Sequence, residues 1–221
     1  MKYPPKTENE LSERLYNIAG LTLAELAHSI DWNVPDDLMH NKGWIGQLLE
    51  AVLVTSARNL SEPDFLELGI ELKSIPVKTC NNYPVETTYV CVVPLTDNLG
   101  LQWHNSCVAK KLKRVVWLPI ETGPGIILAE RKVGQGYIWS PSLETQSILQ
   151  SDWEELMEYV ALGEIDQIDA SYGEYLQIRP KAANAKARTQ SIGQSGVYTT
   201  TLPRGFYLRK EFTHKVLTRE L

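Results

Sequence analysis

With 221 residues, 43% of them hydrophobic and 22% charged, the chain has the length and composition of a folded protein with a sizeable core, which excludes a disordered segment. No apolar run approaches the roughly 20 residues that span a bilayer, and the polar start MKYPPKTENELSERL lacks the pattern of a secretory signal, so a cytoplasmic protein without membrane contact is expected. The net charge of -5 is unevenly spread: residues 172–221 hold nine Lys or Arg against three Glu, and residues 1–171 hold thirteen against twenty-four, so a basic portion suited to a polyanion follows an acidic body.

Helices are predicted first. NELSERLYNIAG places Leu11, Leu15 and Ile18 at helical spacing with Gly20 as a stop, and LTLAELAHSI follows as a second helix. Trp44 to Val54 reads as a longer buried helix with Ile45, Leu48, Leu49, Val52 and Leu53 inward. Gln47 and Glu50 lie off that stripe, and a charge on so apolar a helix is costly without a partner.

Strands come next. In PDFLELGIELKSIP, residues 63–76, Leu66, Leu68, Ile70 and Leu72 share one parity, and Glu67, Glu71 and Lys73 share the other. Tyr89 to Val93 is apolar on both faces, as in a central strand, and Val115 to Ile120 is a further strand preceded by Lys110, Lys111, Lys113 and Arg114. ETGPGIILAERKVGQG reads as a hairpin and loops. SDWEELMEYVALGEI reads as an acidic amphipathic helix capped by Ser151. In the last portion GEYLQIRP is a strand, KAANAKARTQSIG a basic helix ending at Gly193, and TLPRGFYLRKEF a turn into a strand or helix.

Cys80, Cys91 and Cys107 are odd in number and spread out, which fits reduced thiols, and the histidines at 28, 40, 104 and 214 lack zinc-site spacing. Chemistry points instead to Asp64, Glu71 and Lys73, spaced as D-x6-E-x-K. Phosphodiester hydrolysis needs a hard cation on carboxylate oxygens, a water made nucleophilic beside it, and positive charge against the phosphate. Glu71 and Lys73 share a strand face, but Asp64 has the wrong parity to join them unless a turn or bulge at Leu68-Gly69 folds the segment into a hairpin. The plainer alternative is a half-exposed strand with solvated charges. A helix, this hairpin, a buried strand and then a basic strand edge is the order of a restriction-endonuclease-like core. Glu50 and Lys111 are further candidates for its site.

The runs NKGWIGQLLE, PDFLELGIELKSIPV, ETTYVCVVPLT, KLKRVVWLPIE, SDWEELMEYVALGEI, GEYLQIRPKAANAKA and TLPRGFYLRKEFT, in this order over most of the chain, resemble the MutH family of DNA mismatch repair endonucleases. The resemblance implies an α/β PD-(D/E)xK fold, with a mixed central sheet flanked by helices and two lobes around a DNA cleft. It implies one domain over residues 1–221, with a catalytic core at about 41–121 and a basic recognition portion at about 172–221.

By the same resemblance, Asp64, Glu71 and Lys73 are the catalytic triplet, and Glu50 and Lys111 are auxiliary. Asp64, Glu71 and Glu50 would hold one or two Mg2+ ions. Arg179, Lys181, Asn184 and Lys186 match a DNA-contacting segment, Lys42, Arg204 and Lys210 would meet phosphates, and Tyr207 matches a residue placed near the target adenine. The implied activity is nicking of the unmethylated strand 5′ of G at hemimethylated GATC, by a monomer stimulated by MutL after MutS finds a mismatch. The acidic helix at 151–165 is either a surface for MutL or a solvated face. A stand-alone GATC restriction enzyme and a non-catalytic DNA-binding repair module are the alternatives.

Overall fold

A computed structural model describes residues 3–38, 41, 43–57, 62–169, 171–181 and 186–221. In chain order the elements are α1 (Glu8–Ile18), α2 (Leu23–His28), α3 (Trp44–Leu53), β1 (Glu71–Lys78), β2 (Thr88–Val92), α4 (Cys107–Leu112), β3 (Val115–Thr122), β4 (Tyr137–Trp139), α5 (Leu143–Ala161), β5 (Leu176–Pro180), β6 (Thr189–Ile192), β7 (Tyr198–Thr201), β8 (Arg204–Leu208) and α6 (Lys210–Leu217). The fold is mixed α/β, divided into two compact units, residues 1–86 with 113–140 and residues 87–112 with 141–221. Among the described residues no helix is long and apolar enough to cross a membrane.

In the first unit β1 pairs in parallel with β3, and β3 pairs antiparallel with β4. One face of this sheet, through Leu72, Val116, Leu118 and Ile120, joins a core with Leu11, Leu15 and Ile18 of α1, Leu23 and Leu26 of α2, and Leu48, Leu49 and Leu53 of α3. The helical period predicted for these three helices is therefore the period of burial. Thr22 and Glu25 form a reciprocal capping box that starts α2, and Arg114 binds Glu8 of α1 through Nε at 2.6 Å and Nη2 at 2.5 Å.

In the second unit β8 lies between β2 and β5, antiparallel to both, and β6 and β7 form a separate hairpin. Helix α5 buries Leu149, Trp153, Leu156 and Val160. The Thr88 and Thr213 hydroxyls hydrogen bond at 3.0 Å and join β2 to α6.

Four local expectations are corrected. The strand near Tyr89 lies at the edge of the sheet of the second unit, and a bulge between Tyr89 and Cys91 turns Val92 outward at 59% exposure, so it is not a central strand. Helix α5 starts eight residues before Ser151, because Ser142 caps it by accepting from the Thr145 N–H at 3.1 Å. Residues 189–192, expected in a basic helix, form β6, whose pairing with β7 outweighs local helix propensity. Lys110 and Lys111, expected as an approach to a strand, lie on α4.

Candidate active site and nucleic-acid face

The Asp64 to Lys73 segment folds back on itself. Leu66–Leu68 makes one 3-10 turn, Gly69 takes a left-handed φ of 64°, and Phe65 and Ile70 exchange hydrogen bonds of 2.9 and 3.3 Å. Glycine suits that conformation because it has no Cβ to clash with the carbonyl oxygen. The tight turn expected at Gly69 is thus observed, and it offsets the parity problem. The Asp64 Oδ2 accepts from the Leu72 N–H at 2.7 Å, which places this carboxylate at the start of β1 beside Glu71. The Asp64 carbonyl also accepts from the Ser56 and Ala57 N–H groups at 2.8 and 3.2 Å, so the chain leaving α3 is tied to the same point.

Glu71 and Lys73 point to the sheet face opposite the helical core. Glu71 is only 3% exposed, and the Lys73 ammonium lies 2.8 Å from its Oε1. A buried carboxylate demands a compensating cation, and Lys73 supplies it. Glu50 is exposed on the last turn of α3, so it does not bear the desolvation cost expected from its apolar neighbours. Among the described residues no three His, Cys, Asp or Glu side chains gather in a group that could hold a metal ion. Lys111 is half-buried on α4, in the second unit.

Of the basic residues expected to meet DNA, Arg179 and Lys181 lie by one sheet face of the second unit. Registered pairs in an antiparallel sheet share a face, so Tyr89, Tyr207 and Gln177 form one row across β2, β8 and β5, and Val92, Gly205 and Arg179 form the next. The rings of Tyr89 and Tyr207 meet edge to face with centroids 5.4 Å apart. A side chain at Gly205 would come within 3.0 Å of both rings, so this position keeps the face open. Lys181 sets its ammonium 3.0 Å from the Tyr89 ring centroid, and the exposed Arg179 donates to the Thr87 hydroxyl at 3.3 Å. Tyr89 had no predicted role; its neighbours Lys181 and Tyr207 are distant in sequence, and only the strand pairing reveals them.

Lys186 is exposed, and Lys210 is half-buried at the start of α6. Arg204 is engaged within the unit: its Nη2 lies 2.5 Å from the exposed Asp166, which also accepts from the Thr201 hydroxyl at 3.1 Å. Lys42, Asn184 and His40 lie outside the described residues.

Residues 53–152 match the family model described as DNA mismatch repair enzyme MutH. The chain is 52% identical over 219 residues to the DNA mismatch repair protein MutH of Vibrio parahaemolyticus serotype O3:K6, covering 99% of this chain and 96% of the relative. It is 50% identical to the protein of that name from Yersinia enterocolitica and 51% to that from Escherichia coli K12, each over 98% of this chain and 94% of the relative. Identity at this level over almost the whole of both chains means that the chain belongs to the MutH family of DNA mismatch repair enzymes.

Proposed function

We propose that this protein is a Mg2+-dependent mismatch repair endonuclease that nicks the unmethylated strand 5′ of G at hemimethylated GATC sites. It acts as a cytoplasmic monomer on double-stranded DNA, with MutL as its activator and MutS upstream. The observation that carries the reading is the juxtaposition of Asp64, Glu71 and Lys73 at the start of β1, in a chain half identical to DNA mismatch repair proteins.

The residues fit a divalent cation. Asp64 and Glu71 supply carboxylate oxygens, the hard donors that Mg2+ takes together with water and phosphate, and the burial of Glu71 favours a close counter-charge. Bound there, one or two ions would supply Lewis acidity and lower the pKa of a water near the phosphate. The Lys73 ammonium, held by Glu71, orients the attacking water and stabilises charge on the phosphoryl oxygens. A bond forms from that water to phosphorus, and the bond from phosphorus to the 3′ oxygen breaks in line, leaving a 5′-phosphate and a 3′-hydroxyl. Glu50 and Lys111 are carried as auxiliary residues by the family resemblance alone.

Arg179, Lys181, Lys186, Lys210, Lys42 and Asn184 bind DNA in this reading, with Tyr207 close to the target adenine. Arg204, which pairs with Asp166 through Nη2, is carried as a phosphate contact by the family resemblance alone. The test is nicking of a hemimethylated GATC duplex in Mg2+, with and without MutL, against EDTA and a fully methylated duplex. Nicks confined to the unmethylated strand 5′ of G are expected. Double-strand cleavage without a partner would instead establish a restriction enzyme, and binding without cleavage a recruiting module.

A further inference from the structure

Asp152 departs from the pattern of its helix. The neighbouring acids of α5, Glu154, Glu155 and Glu158, are exposed, whereas Asp152 is 6% exposed. Its carboxylate accepts three backbone hydrogen bonds, from the Glu174 N–H to Oδ1 at 2.8 Å and from the Tyr175 and Leu176 N–H groups to Oδ2 at 2.7 and 2.8 Å. Three N–H dipoles compensate a charge that would otherwise be costly to bury.

The same turn is held from its carbonyl side by Arg209. The guanidinium donates from Nε to the Gly173 carbonyl at 3.0 Å and from Nη2 to the Tyr172 carbonyl at 2.8 Å, and the Arg209 N–H donates to the Tyr175 carbonyl at 2.9 Å. Gly173 has a φ of 74°, and a Cβ there would lie 2.0 Å from the Leu176 carbonyl oxygen. Only glycine lets the chain pass between the carboxylate and the guanidinium.

This turn leads directly into β5, and Arg209 directly follows β8. Leu176, whose N–H Asp152 binds, is also the registered partner of Leu208. Two residues further, the same register sets Ile178 opposite Phe206, and Arg179 and Gln177 fall on the face of Gly205 and Tyr207. A slip of one residue would send Arg179 to the opposite face.

We propose that Asp152 and Arg209 are positioning residues for target discrimination: their clamp on residues 172–176 sets the register at which Arg179 and Tyr207 meet the DNA. This rests on the nicking activity proposed above. The hydrogen bonds described for the clamp run to residues 172–176 of the second unit; its loss acts on recognition.

The experiment is steady-state nicking by the full-length D152N protein, with MutL in every arm, on a hemimethylated GATC duplex and on a duplex with one substituted base pair. The ratio of the two kcat/KM values is independent of the fraction of protein folded, so it separates positioning from a merely structural role. The expected result is a ratio reduced by about tenfold, the scale of losing one good base contact, with KM for GATC raised and kcat little changed. R209Q removes the clamp from its half-buried side, is expected to shift the ratio in the same direction, and serves if D152N does not fold. An unchanged ratio in the folded variant, with less active enzyme on both duplexes, overturns the inference and leaves the functional reading intact. Absence of nicking by the wild-type protein overturns the functional reading and the inference together.

Discussion

The Asp64 carboxylate accepts the Leu72 N–H at 2.7 Å, and Leu72 is the residue between Glu71 and Lys73. A side chain seven positions ahead of Glu71 is thereby pinned to the strand that carries the other two members of the triplet, and the pin depends on the turn between them.

Gly69→Ala tests that dependence. Nothing lies within 4 Å of a Cβ at this position, so the cost is the left-handed backbone alone, about 1 kcal/mol. A drop of a few degrees in Tm together with at least tenfold slower nicking is expected. Full activity at the lower Tm would show that the turn does not govern Asp64.

Lys73→Ala removes the cation beside a 3% exposed carboxylate. Nicking is expected to be abolished while duplex binding, measured by fluorescence anisotropy in Ca2+, stays within about threefold, since lysine stabilises the transition state more than the bound duplex. Lys73→Arg is expected to recover little, because a planar fork does not reproduce a compact ammonium. Retained nicking in the alanine variant would remove Lys73 from the chemistry.

Tyr207→Ala opens the row shared with Tyr89. If the ring senses the adenine methyl, preference for hemimethylated over fully methylated GATC falls by about tenfold or more, the scale of one methyl in a close apolar contact. Competition nicking of two labelled duplexes in one tube reads the preference directly. An unaltered preference would assign Tyr207 to packing.

Glu8 gives a pH signature in the first unit. Its hydrogen bond with Arg114 holds its carboxyl below the usual value, so its contribution is present above the unfolded value near 4.5 and is lost as pH falls through the lower folded value. Both partners are more than a third exposed, which limits the effect to about 0.5 kcal/mol. Urea melts of Glu8→Gln are expected to show a deficit at pH 7 that shrinks as pH falls below 4.5. A deficit that persists in acid would point to lost packing.

Tyr159 gives the alkaline counterpart in the second unit. Its hydroxyl donates to the Tyr172 hydroxyl at 3.1 Å, and that bond pushes its pKa up to about 12. Because the unfolded chain releases this proton near pH 10, the contribution is complete below pH 10 and is lost as pH rises toward 12. Ultraviolet titration of Tyr159→Phe is expected to lack one late-ionising tyrosine. A curve unchanged above pH 11 would count against the bond.

Local pattern was enough to read the helices α1 to α3, because their buried residues recur at the helical period whatever they pack against. The triplet and the turn that assembles it were legible for a similar reason: Gly69 and the alternation of residues 70–73 lie within one short segment. Tertiary structure decided the rest, through pairings between distant residues. Tyr89 joins β8 at Tyr207, and β6 becomes a strand because β7 is there to pair with it. Asp152 looks in the sequence like one more acid on an acidic helix; the turn 22 to 24 residues later supplies the three N–H groups that make its burial stable. The amino-acid sequence by itself determined the period of α1 to α3 and the spacing of Asp64, Glu71 and Lys73, since both depend on neighbours along the chain. Only the tertiary structure decided which faces meet and which charges are buried, because those free energies come from groups far apart in sequence.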